Sequence, residues 1–290
     1  IDVYNVIKPE ILKLKNIGIE TANLDCRILL SESLDRYATL YNHQNIYISK
    51  NEIKKFQNFI QQRLSGKPVS RIINKKNFWK KEFELNDATL DPRPDSETLI
   101  ETVIEYYPDK SKFLKIVDLG SGSGCLGLSI LGEYPYSKVS FFDTSKKSLE
   151  MVKINAKKFD LFERSKFINL DWNFRYWDKK LMTIENNIKF HIAISNPPYI
   201  PTNDIKTLKK EVKKFDPFIA LNGGKDGLDA YRSIFSKLTK IIKSKGLIFL
   251  EIGRGQENYV TKIALEHGFL PEQYKKDLSG VTRVIVFINK

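Results

Sequence analysis

Hydrophobic residues in the first quarter of the chain recur at helical spacing. Three stretches show this period, containing Ile7, Ile11 and Leu14, then Leu24, Ile28 and Leu29, and then Ile53, Phe56, Phe59, Ile60 and Leu64. Ser49 precedes the third stretch, with Glu52 at the spacing of a capping box. We therefore predict a small helical bundle over residues 1–75. Two roles are open for this bundle, which are packing alone and the recognition of a partner.

A short segment with a different pattern follows the helices. Phe78, Trp79, Phe83 and Leu85 are separated by polar residues, which is typical of a short β-hairpin. We expect this hairpin to form a linker over residues 76–90. The next segment, 91–97, is rich in proline, and Asp95 or Ser96 is predicted to cap the helix after it.

Strand and helix patterns alternate through most of the remaining chain. Strands are predicted at 115–119, 139–143, 166–170, 190–195 and 247–252, and helices from Gly124 onward, over 145–157, over 227–243 and over 257–267. This βαβ rhythm predicts an α/β fold in which helices cover both faces of a parallel sheet.

The final two strands break the rhythm. Segments 272–278 and 281–288 are joined only by Ser279 and Gly280, whereas a parallel pair needs a crossover of a dozen or more residues. The last strand is therefore predicted to be antiparallel. A parallel sheet that ends in an antiparallel strand resembles the seven-stranded sheet of class I (Rossmann-like) methyltransferases. Plain dehydrogenase folds usually lack the antiparallel last strand. We expect this methyltransferase domain over residues 91–290.

Composition narrows the class of protein without identifying it. A hydrophobic content of 41% in 290 residues can bury a substantial core, and no apolar run approaches the roughly 18 residues of a membrane span. No secretory signal is visible, so we expect a soluble, cytoplasmic protein without a membrane partner. Cys26 and Cys125 match no metal-binding or redox spacing, so no metal site is predicted.

The net charge of +13 permits an anionic partner such as nucleic acid. However, ten arginines stand beside 38 lysines, and the chain is rich in Ile and Asn. AT-biased codons produce this composition, and Lys lacks the bidentate fork with which Arg binds phosphate. Direct binding of nucleic acid is therefore allowed but not required.

A glycine-rich loop follows the strand that ends at Leu119. Its sequence is Asp118-Leu119-Gly120-Ser121-Gly122-Ser123-Gly124, and glycines permit positive φ and close approach to a ligand. Asp143 ends the next strand, where a carboxylate can accept hydrogen bonds from two ribose hydroxyls. Gly122, Gly124 and Gly127 also satisfy the dinucleotide pattern, so the loop alone leaves the cofactor open. Asp118 and Gly120 favour S-adenosylmethionine, because D-x-G-x-G-x-G resembles the class I methyltransferase loop.

Asn196-Pro197-Pro198-Tyr199 follows the fourth strand, at the edge where open α/β sheets bind ligands. The nitrogen of an amide or aromatic amine is a poor nucleophile, because its lone pair is delocalised. The Asn carbonyl and a proline carbonyl can accept both of its N–H bonds and hold it in line with a methyl sulfonium. Prolines fix the direction of that carbonyl, and Tyr199 offers a flat apolar face. No general base is apparent.

Several motifs together resemble the HemK/PrmC family. They are Pro92-Arg93-Pro94-Asp95-Ser96-Glu97, Asn196 to Ile200, Asn77-Phe78-Trp79, Asp171-Trp172, the segment 221–228 and the helical segment 24–30. The resemblance implies methylation of the GGQ glutamine of peptide-chain release factors at N5. S-adenosylmethionine would be the donor, and S-adenosylhomocysteine the product. It also implies that the helical domain recognises the substrate, and we expect a monomer.

The resemblance also implies roles for individual residues. Gly120, Ser121, Gly122, Ser123 and Gly124 would cradle the methionyl part of the donor. Asp143 would bind its ribose, and Trp172, with Asp171, would lie beside the adenine. Asn196 would contact both donor and glutamine, and Pro197, Pro198 and Tyr199 would complete the substrate pocket. Ser96 stands where the family has Thr, and Asp91 where it often has Ile or Val. Neither change removes a group with an assigned role, and Arg93, Asp95 and Glu97 are expected to be structural.

Three other functions remain as alternatives. The Asn196-Pro197-Pro198-Tyr199 motif (NPPY) and the positive charge are also compatible with a DNA or RNA amino-group methyltransferase of the adenine N6 type. Against it, no separate target-recognition domain is found for an enzyme that must flip a base. A dehydrogenase is disfavoured by NPPY and by the antiparallel last strand. A binding module without activity is disfavoured because the loop, the ribose carboxylate and NPPY are all intact.

Overall fold

The computed structural model describes residues 2–34, 40 and 45–290. The remaining residues, 1, 35–39 and 41–44, belong to the expected helical domain and lie outside the described part. The chain divides into two compact units. One contains Ile1–Lys75 with Lys209–Phe215, and the other contains Lys76–Leu208 with Asp216–Lys290.

The described residues form the following elements. The α-helices are α1 (Val3–Asn16), α2 (Ala22–Ser33), α3 (Lys50–Leu64), α4 (Val69–Ile73), α5 (Glu97–Tyr106), α6 (Cys125–Glu133), α7 (Lys146–Lys158), α8 (Trp177–Ile184), α9 (Lys210–Phe215), α10 (Phe218–Leu221), α11 (Asp229–Ile241) and α12 (Glu257–Glu266). The strands are β1 (Lys75–Phe78), β2 (Lys81–Glu84), β3 (Lys115–Leu119), β4 (Lys138–Asp143), β5 (Ser165–Asn169), β6 (Phe190–Ser195), β7 (Ile242–Glu251), β8 (Phe269–Lys276) and β9 (Thr282–Asn289).

The first unit packs the apolar faces of its helices into one core. The predicted capping box begins α3: Ser49 Oγ accepts a hydrogen bond from the Glu52 amide, and the Ser49 amide donates to the Glu52 carboxylate. The predicted face of α2 is wrong at Leu24 and Ile28, which are exposed, and right at Leu29, which is buried. Ala22, Cys26 and Leu30 are the other buried hydrophobic residues of this helix. Hydrophobic residues of α2 occupy two adjacent faces of the helix, so their spacing alone does not decide which face is buried. The packing of the core decides this.

The second unit contains a seven-stranded mixed sheet in the order β5-β4-β3-β6-β7-β9-β8. Pairs from β5 to β7 are parallel, whereas β9 runs antiparallel to both β7 and β8. This confirms the predicted class I methyltransferase sheet. Side chains alternate between its two faces, so that Val117 packs into one core and Ile116 into the other.

The hairpin of β1 and β2 packs as part of the second unit. Phe78 and Phe83 are buried in one of the cores beside the sheet. The Glu84 amide also donates to the side chain of Asn155 on α7, at 2.8 Å. Most of the segment expected as a linker is therefore integrated into this unit through its aromatic side chains.

The structure corrects several element boundaries. Pro94–Ser96 forms a 3₁₀ turn before α5, and neither Asp95 nor Ser96 makes the predicted capping hydrogen bond. Helix α8 lies in a stretch for which the hydrophobic pattern predicts no element. Strand β7 begins at Ile242 rather than residue 247, and β8 at Phe269 rather than residue 272. None of the helices in the described residues has both the length and the apolar character needed to cross a membrane.

Candidate functional site

A cavity of about 320 Å³ opens where β3, β4 and β6 end. These strands are parallel neighbours, so the loops after them meet at one edge of the sheet. The cavity brings together most of the residues named in the sequence prediction, which are Gly120, Ser121, Gly122, Ser123, Asp143, Asp171, Trp172, Asn196 and Pro198. Gly124, Pro197 and Tyr199 are absent from its lining.

The glycine loop adopts backbone conformations that side chains disfavour. Gly120, Gly122 and Gly124 have φ values of +75°, +55° and +80°. A Cβ atom at Gly120 would also lie 2.9 Å from the ring of Trp172. Glycine at this position therefore allows an indole to close one side of the cavity.

Asp143 is held in place by the loops on either side of it. Its Oδ2 accepts from the Gly122 amide at 2.9 Å, and its Oδ1 accepts from the Ser145 amide at 2.8 Å. Burial raises the pKa of this carboxyl, and the two N–H groups oppose that rise. Each oxygen keeps a further lone pair, so the carboxylate can accept hydroxyl donors in the cavity.

Asp118, the first residue of the glycine motif, lies beneath the loop. It is 1% exposed, and its Oδ2 accepts from the Gly127 amide at 3.0 Å. Burial raises the pKa of Asp118 to about 7. The carboxylate therefore joins the end of β3 to α6 and supports the loop from inside.

The two residues after β5 differ in their surroundings. Trp172 is half-buried and stacks parallel to Phe142, with ring centroids 6.3 Å apart and an interplanar angle of 5°. Asp171 is exposed, and its Oδ1 accepts from the Asn173 amide at 2.8 Å. Trp172 thus offers a rigid aromatic wall, whereas Asp171 shapes the turn that carries it.

Asn196 is half-buried and has a defined orientation. Its Nδ2 donates to the Ser96 hydroxyl at 3.2 Å. Its Oδ1 has no hydrogen-bond partner among the residues that the structure describes. The neighbouring Ser195 hydroxyl donates to the Leu119 carbonyl at 2.6 Å, which ties the end of β6 to that of β3. The arrangement leaves a carbonyl acceptor available beside the glycine loop.

Tyr199 faces a different environment from Asn196. It lines a second cavity of about 530 Å³, and its hydroxyl donates to Glu251 at 3.4 Å. Gln256 holds the backbone at this point, because its Nε2 donates to the carbonyls of Tyr199 and Gly227. The loop after β6 therefore has supports at both ends, with its first residue facing the first cavity and its last facing the second.

The sequence prediction missed three of these supporting residues. The sequence predicts Ser96 only as a possible helix cap and as a replacement for Thr, and nothing in the sequence around Gln256 indicates a supporting role. Glu251 ends a strand of buried apolar residues, is 1% exposed and has its pKa raised by burial to about 7. The sequence contained one signal for Glu251, because an acidic residue that ends an apolar strand lies at the carboxyl edge of the sheet, where ligands bind. No group of three metal-ligating side chains occurs in the described ranges.

Comparison with known proteins matches both units. The family model described as the PrmC N-terminal domain matches residues 11–73, and the one described as the methyltransferase small domain matches residues 94–214. A release factor glutamine methyltransferase of Clostridium acetobutylicum is 36% identical over 95% of this chain and 94% of its own length. Its namesake from Caulobacter vibrioides is 33% identical over 94% of this chain and 92% of its own length.

Other relatives are longer. A bifunctional methyltransferase of Rickettsia conorii is 34% identical over 95% of this chain, and the match covers 55% of that relative. The chain thus spans about half the length of these bifunctional relatives. Among solved structures, the release factor-specific protein-(glutamine-N5) methyltransferase of Alicyclobacillus acidocaldarius is 25% identical. It has a TM-score of 0.40 and covers 69% of this chain and 94% of its own.

The chain belongs to the release factor glutamine methyltransferase family, as two relatives above 30% identity over nearly their whole length show. The HemK/PrmC resemblance predicted from its motifs is thereby confirmed.

Proposed function

We propose that this chain transfers the methyl group of S-adenosylmethionine to N5 of the GGQ glutamine in release factors, and releases S-adenosylhomocysteine. The main support is the half-buried Asn196 carbonyl, which is unpaired within the described residues and lines one cavity with the glycine loop and Asp143. Family membership supports the identity of the acceptor. The function rests on this combination, because the glycine loop alone also suits other nucleotide-type ligands.

The residues of the cavity fit the donor. Asp143 accepts the ribose hydroxyls, Trp172 with Asp171 lies beside the adenine, and the loop from Gly120 to Gly124 cradles the methionyl part. Ser121 lines the cavity, and its buried hydroxyl has no partner within the described residues. When bound, the sulfonium supplies an electrophilic methyl group. This chain supplies binding and orientation.

Asn196 acts on the acceptor. Its Oδ1 and a backbone carbonyl of the proline pair accept the two N–H bonds of the glutamine amide, which aims the nitrogen at the methyl carbon. The N–C bond forms as the S–C bond breaks, and the methylated nitrogen then loses one proton to water. Orientation of this kind contributes up to about 7–11 kcal/mol to catalysis. Pro198 lines the donor cavity, while Pro197 and Tyr199 hold the loop in shape.

The proposal also covers the recognition of the substrate, the oligomeric state and the compartment. The helical unit recognises the release factor, the chain acts as a monomer, and it works in the cytoplasm, where release factors act. The positive charge is background from codon usage, so no nucleic-acid contact is needed.

The test is transfer from methyl-labelled S-adenosylmethionine to four acceptors in parallel. These are a release factor, its GGQ glutamine-to-alanine variant, duplex DNA and tRNA. Label in the intact release factor alone supports the proposal. Label in DNA or tRNA would retain the donor site and replace the substrate with nucleic acid.

The Asn196→Ala variant tests the mechanism. It should abolish transfer, because the acceptor amide loses its hydrogen-bond partner, while circular dichroism shows an intact fold. Asn258→Ala is the control, since Asn258 is an exposed residue of α12 that lines neither cavity. Turnover at the wild-type rate in Asn196→Ala would contradict the mechanism.

A further inference from the structure

The side-chain amide of Gln256 joins three loops at the carboxyl edge of the sheet. Its Oε1 accepts a hydrogen bond from the Gly253 amide at 2.9 Å. Its Nε2 donates to the carbonyl of Tyr199 at 3.0 Å and to the carbonyl of Gly227 at 3.3 Å. The three partners lie in the loop after β7, the loop after β6 and the loop between α10 and α11. One side chain therefore connects the end of the segment 196–199 to two other loops.

The orientation of the Gln256 amide follows from its partners. An amide oxygen can only accept hydrogen bonds, and an amide NH₂ group can only donate them. A backbone N–H faces one end of this amide, and two carbonyl oxygens face the other end. A flipped amide would therefore lose all three hydrogen bonds and set oxygen against oxygen, which is unfavourable.

Two glycines make room for this amide. A Cβ atom at Gly253 would lie 2.7 Å from Gln256 Oε1 and 3.0 Å from the ring of Tyr199. A Cβ atom at Gly227 would lie 2.4 Å from the Tyr199 carbonyl oxygen and 2.8 Å from Gln256 Nε2. Because a side chain at either position would displace the amide or its partner, the close approach of the three loops depends on both glycines.

The two prolines connect this support to Asn196. Proline holds φ at about −65°, so the backbone from Asn196 to Tyr199 has few conformations open to it. Just before this segment, the Ser195 hydroxyl donates to a carbonyl at the end of β3 at 2.6 Å. At its end, Gln256 holds the Tyr199 carbonyl. Movement of that carbonyl would therefore turn the proline carbonyls and the Asn196 side chain with it.

We propose that Gln256 is a positioning residue for methyl transfer, which holds the Tyr199 carbonyl and thereby fixes the direction of Asn196 and of the proline carbonyls. For the reaction, the proposal rests on the function proposed above. Gln256 lines the second cavity rather than the first, whereas Asn196 lines the first. Its effect on transfer therefore passes through the loop and not through contact with the donor.

The Gln256→Glu variant tests the two donated hydrogen bonds. Glu keeps the length of the side chain and an acceptor for the Gly253 amide, but its carboxylate cannot donate to either carbonyl. In this variant kcat should fall roughly tenfold, while KM for the release factor and donor affinity by calorimetry stay within about twofold. A fall in donor affinity without a fall in kcat would contradict the proposal.

The Gln256→Met variant keeps the approximate size of the side chain and removes all three hydrogen bonds. It should also lower kcat, because the Tyr199 carbonyl loses its support. Gln273→Met is the matched control, since Gln273 is a half-buried glutamine of β8 that lines neither cavity. It should leave kcat unchanged.

Two glycine variants in one turn separate positioning from stability. Gly253→Ala places its Cβ against the Gln256 amide and the Tyr199 ring, and it should lower kcat as Gln256→Met does. Gly255→Ala loses stability through its φ of +80°, but no atom lies within 4 Å of the added Cβ, so kcat should be kept. Wild-type kcat in Gln256→Glu, or an equal fall of kcat in Gly255→Ala, would overturn the proposal.

Amide hydrogen exchange needs no acceptor and therefore separates this proposal from the proposed function. The Ile200 amide donates to a carbonyl of α10 at 3.0 Å, and the Gly223 amide donates to the Ile200 carbonyl at 2.9 Å. Both amides should exchange roughly tenfold faster in Gln256→Glu and at the wild-type rate in Gln273→Met. Unchanged exchange in Gln256→Glu would refute the positioning role, even if release factors are methylated. Faster exchange in that variant, with no methylation by the wild type, would reject the proposed function alone.

Discussion

The Asp143 carboxylate illustrates how single residues build this site. Both of its oxygens accept backbone N–H groups, one from the glycine loop and one from the start of α7. These bonds orient the carboxylate before a ligand binds, so little rotamer freedom remains to be lost on binding. Its position at the end of β4 follows from the sequence, but its preorganisation comes from two loops that the sequence cannot bring together.

The Asp143→Ala variant should bind S-adenosylmethionine more weakly by about 1.5–3 kcal/mol, the usual contribution of hydrogen bonds to a charged group. Isothermal calorimetry measures this change. Asp87→Ala is the control, because Asp87 is an exposed aspartate that lines neither cavity. Equal losses in both variants would reject a specific ribose contact for Asp143.

The raised pKa of Asp118 predicts that the free energy of unfolding depends on pH. Burial raises its pKa from an ordinary 3.8 to about 7 in the folded state. Its neutral form therefore favours folding below pH 4, and that contribution is lost as the pH rises through 7. The Asp118→Asn variant keeps an acceptor for the Gly127 amide and never ionises. At pH 8 it should be more stable than the wild type by up to about 4 kcal/mol.

Urea unfolding at pH 5 and pH 8 checks this expectation. The difference between Asp118→Asn and wild type should shrink to about 1.6 kcal/mol at pH 5, because it disappears only below the unfolded pKa of 3.8. Glu251 is titrated in both proteins, so it cancels in the comparison. An equal difference at both pH values would show that Asp118 does not ionise within this range.

The elements of the site fit closely against one another. The glycine loop, the turn that carries Trp172 and the 3₁₀ turn before α5 each contribute one wall of the first cavity. Helix propensity and capping rules correctly describe isolated elements such as α3. They fail at residues 94–96, because the Ser96 hydroxyl accepts a hydrogen bond from the Asn196 side chain and none from the first amides of α5.

The Gly120→Ala variant tests the fit between the loop and the Trp172 turn. The new Cβ would lie 2.9 Å from the indole and would sit at φ +75°. Strain of this kind costs about 1–3 kcal/mol, and displacement of the indole should also weaken donor binding. Thermal unfolding and calorimetry measure the two effects.

Gly255→Ala provides the comparison for that variant, because Gly255 has φ +80° but no atom within 4 Å of the added Cβ. Both variants should lose stability, and only Gly120→Ala should lose donor affinity. Normal donor affinity in Gly120→Ala would show that the indole does not form the adenine wall.

At the scale of the whole molecule, segment 209–215 belongs to the first unit although its neighbours in sequence belong to the second. Within the first unit, the buried Arg63 guanidinium contacts Asp25 on α2 and Glu211 on α9, both at 2.7 Å. Hydrogen bonds to these carboxylates raise the pKa of Arg63 despite its burial. An ion pair of residues so distant in sequence has no local pattern.

The Arg63→Ala variant should lower the free energy of unfolding by about 3–5 kcal/mol, because it leaves the Asp25 carboxylate buried without a partner. Addition of Asp25→Leu to that variant should restore part of the loss. Denaturant unfolding followed by circular dichroism measures both changes. A single variant as stable as the wild type would contradict this account.

The sequence alone determined the features that depend on neighbours along the chain. Hydrophobic period predicted the helical first segment and the alternation of strands and helices, and the short Ser279-Gly280 connection predicted the antiparallel last strand. Motifs predicted the family, which the comparisons confirm. The same motifs predicted which loops gather at the sheet edge, because parallel strands bring their carboxyl ends together.

Only the tertiary structure decided which face of α2 is buried, which cavity Tyr199 lines and what lies behind Asn196. Ser96 is separated from Asn196 by 100 positions, and their hydrogen bond depends on how the 3₁₀ turn before α5 packs beside the loop after β6. A local pattern cannot contain such distances. Burial sets the direction of the raised pKa values of Asp118 and Glu251, since the charged form of a carboxyl is disfavoured away from water.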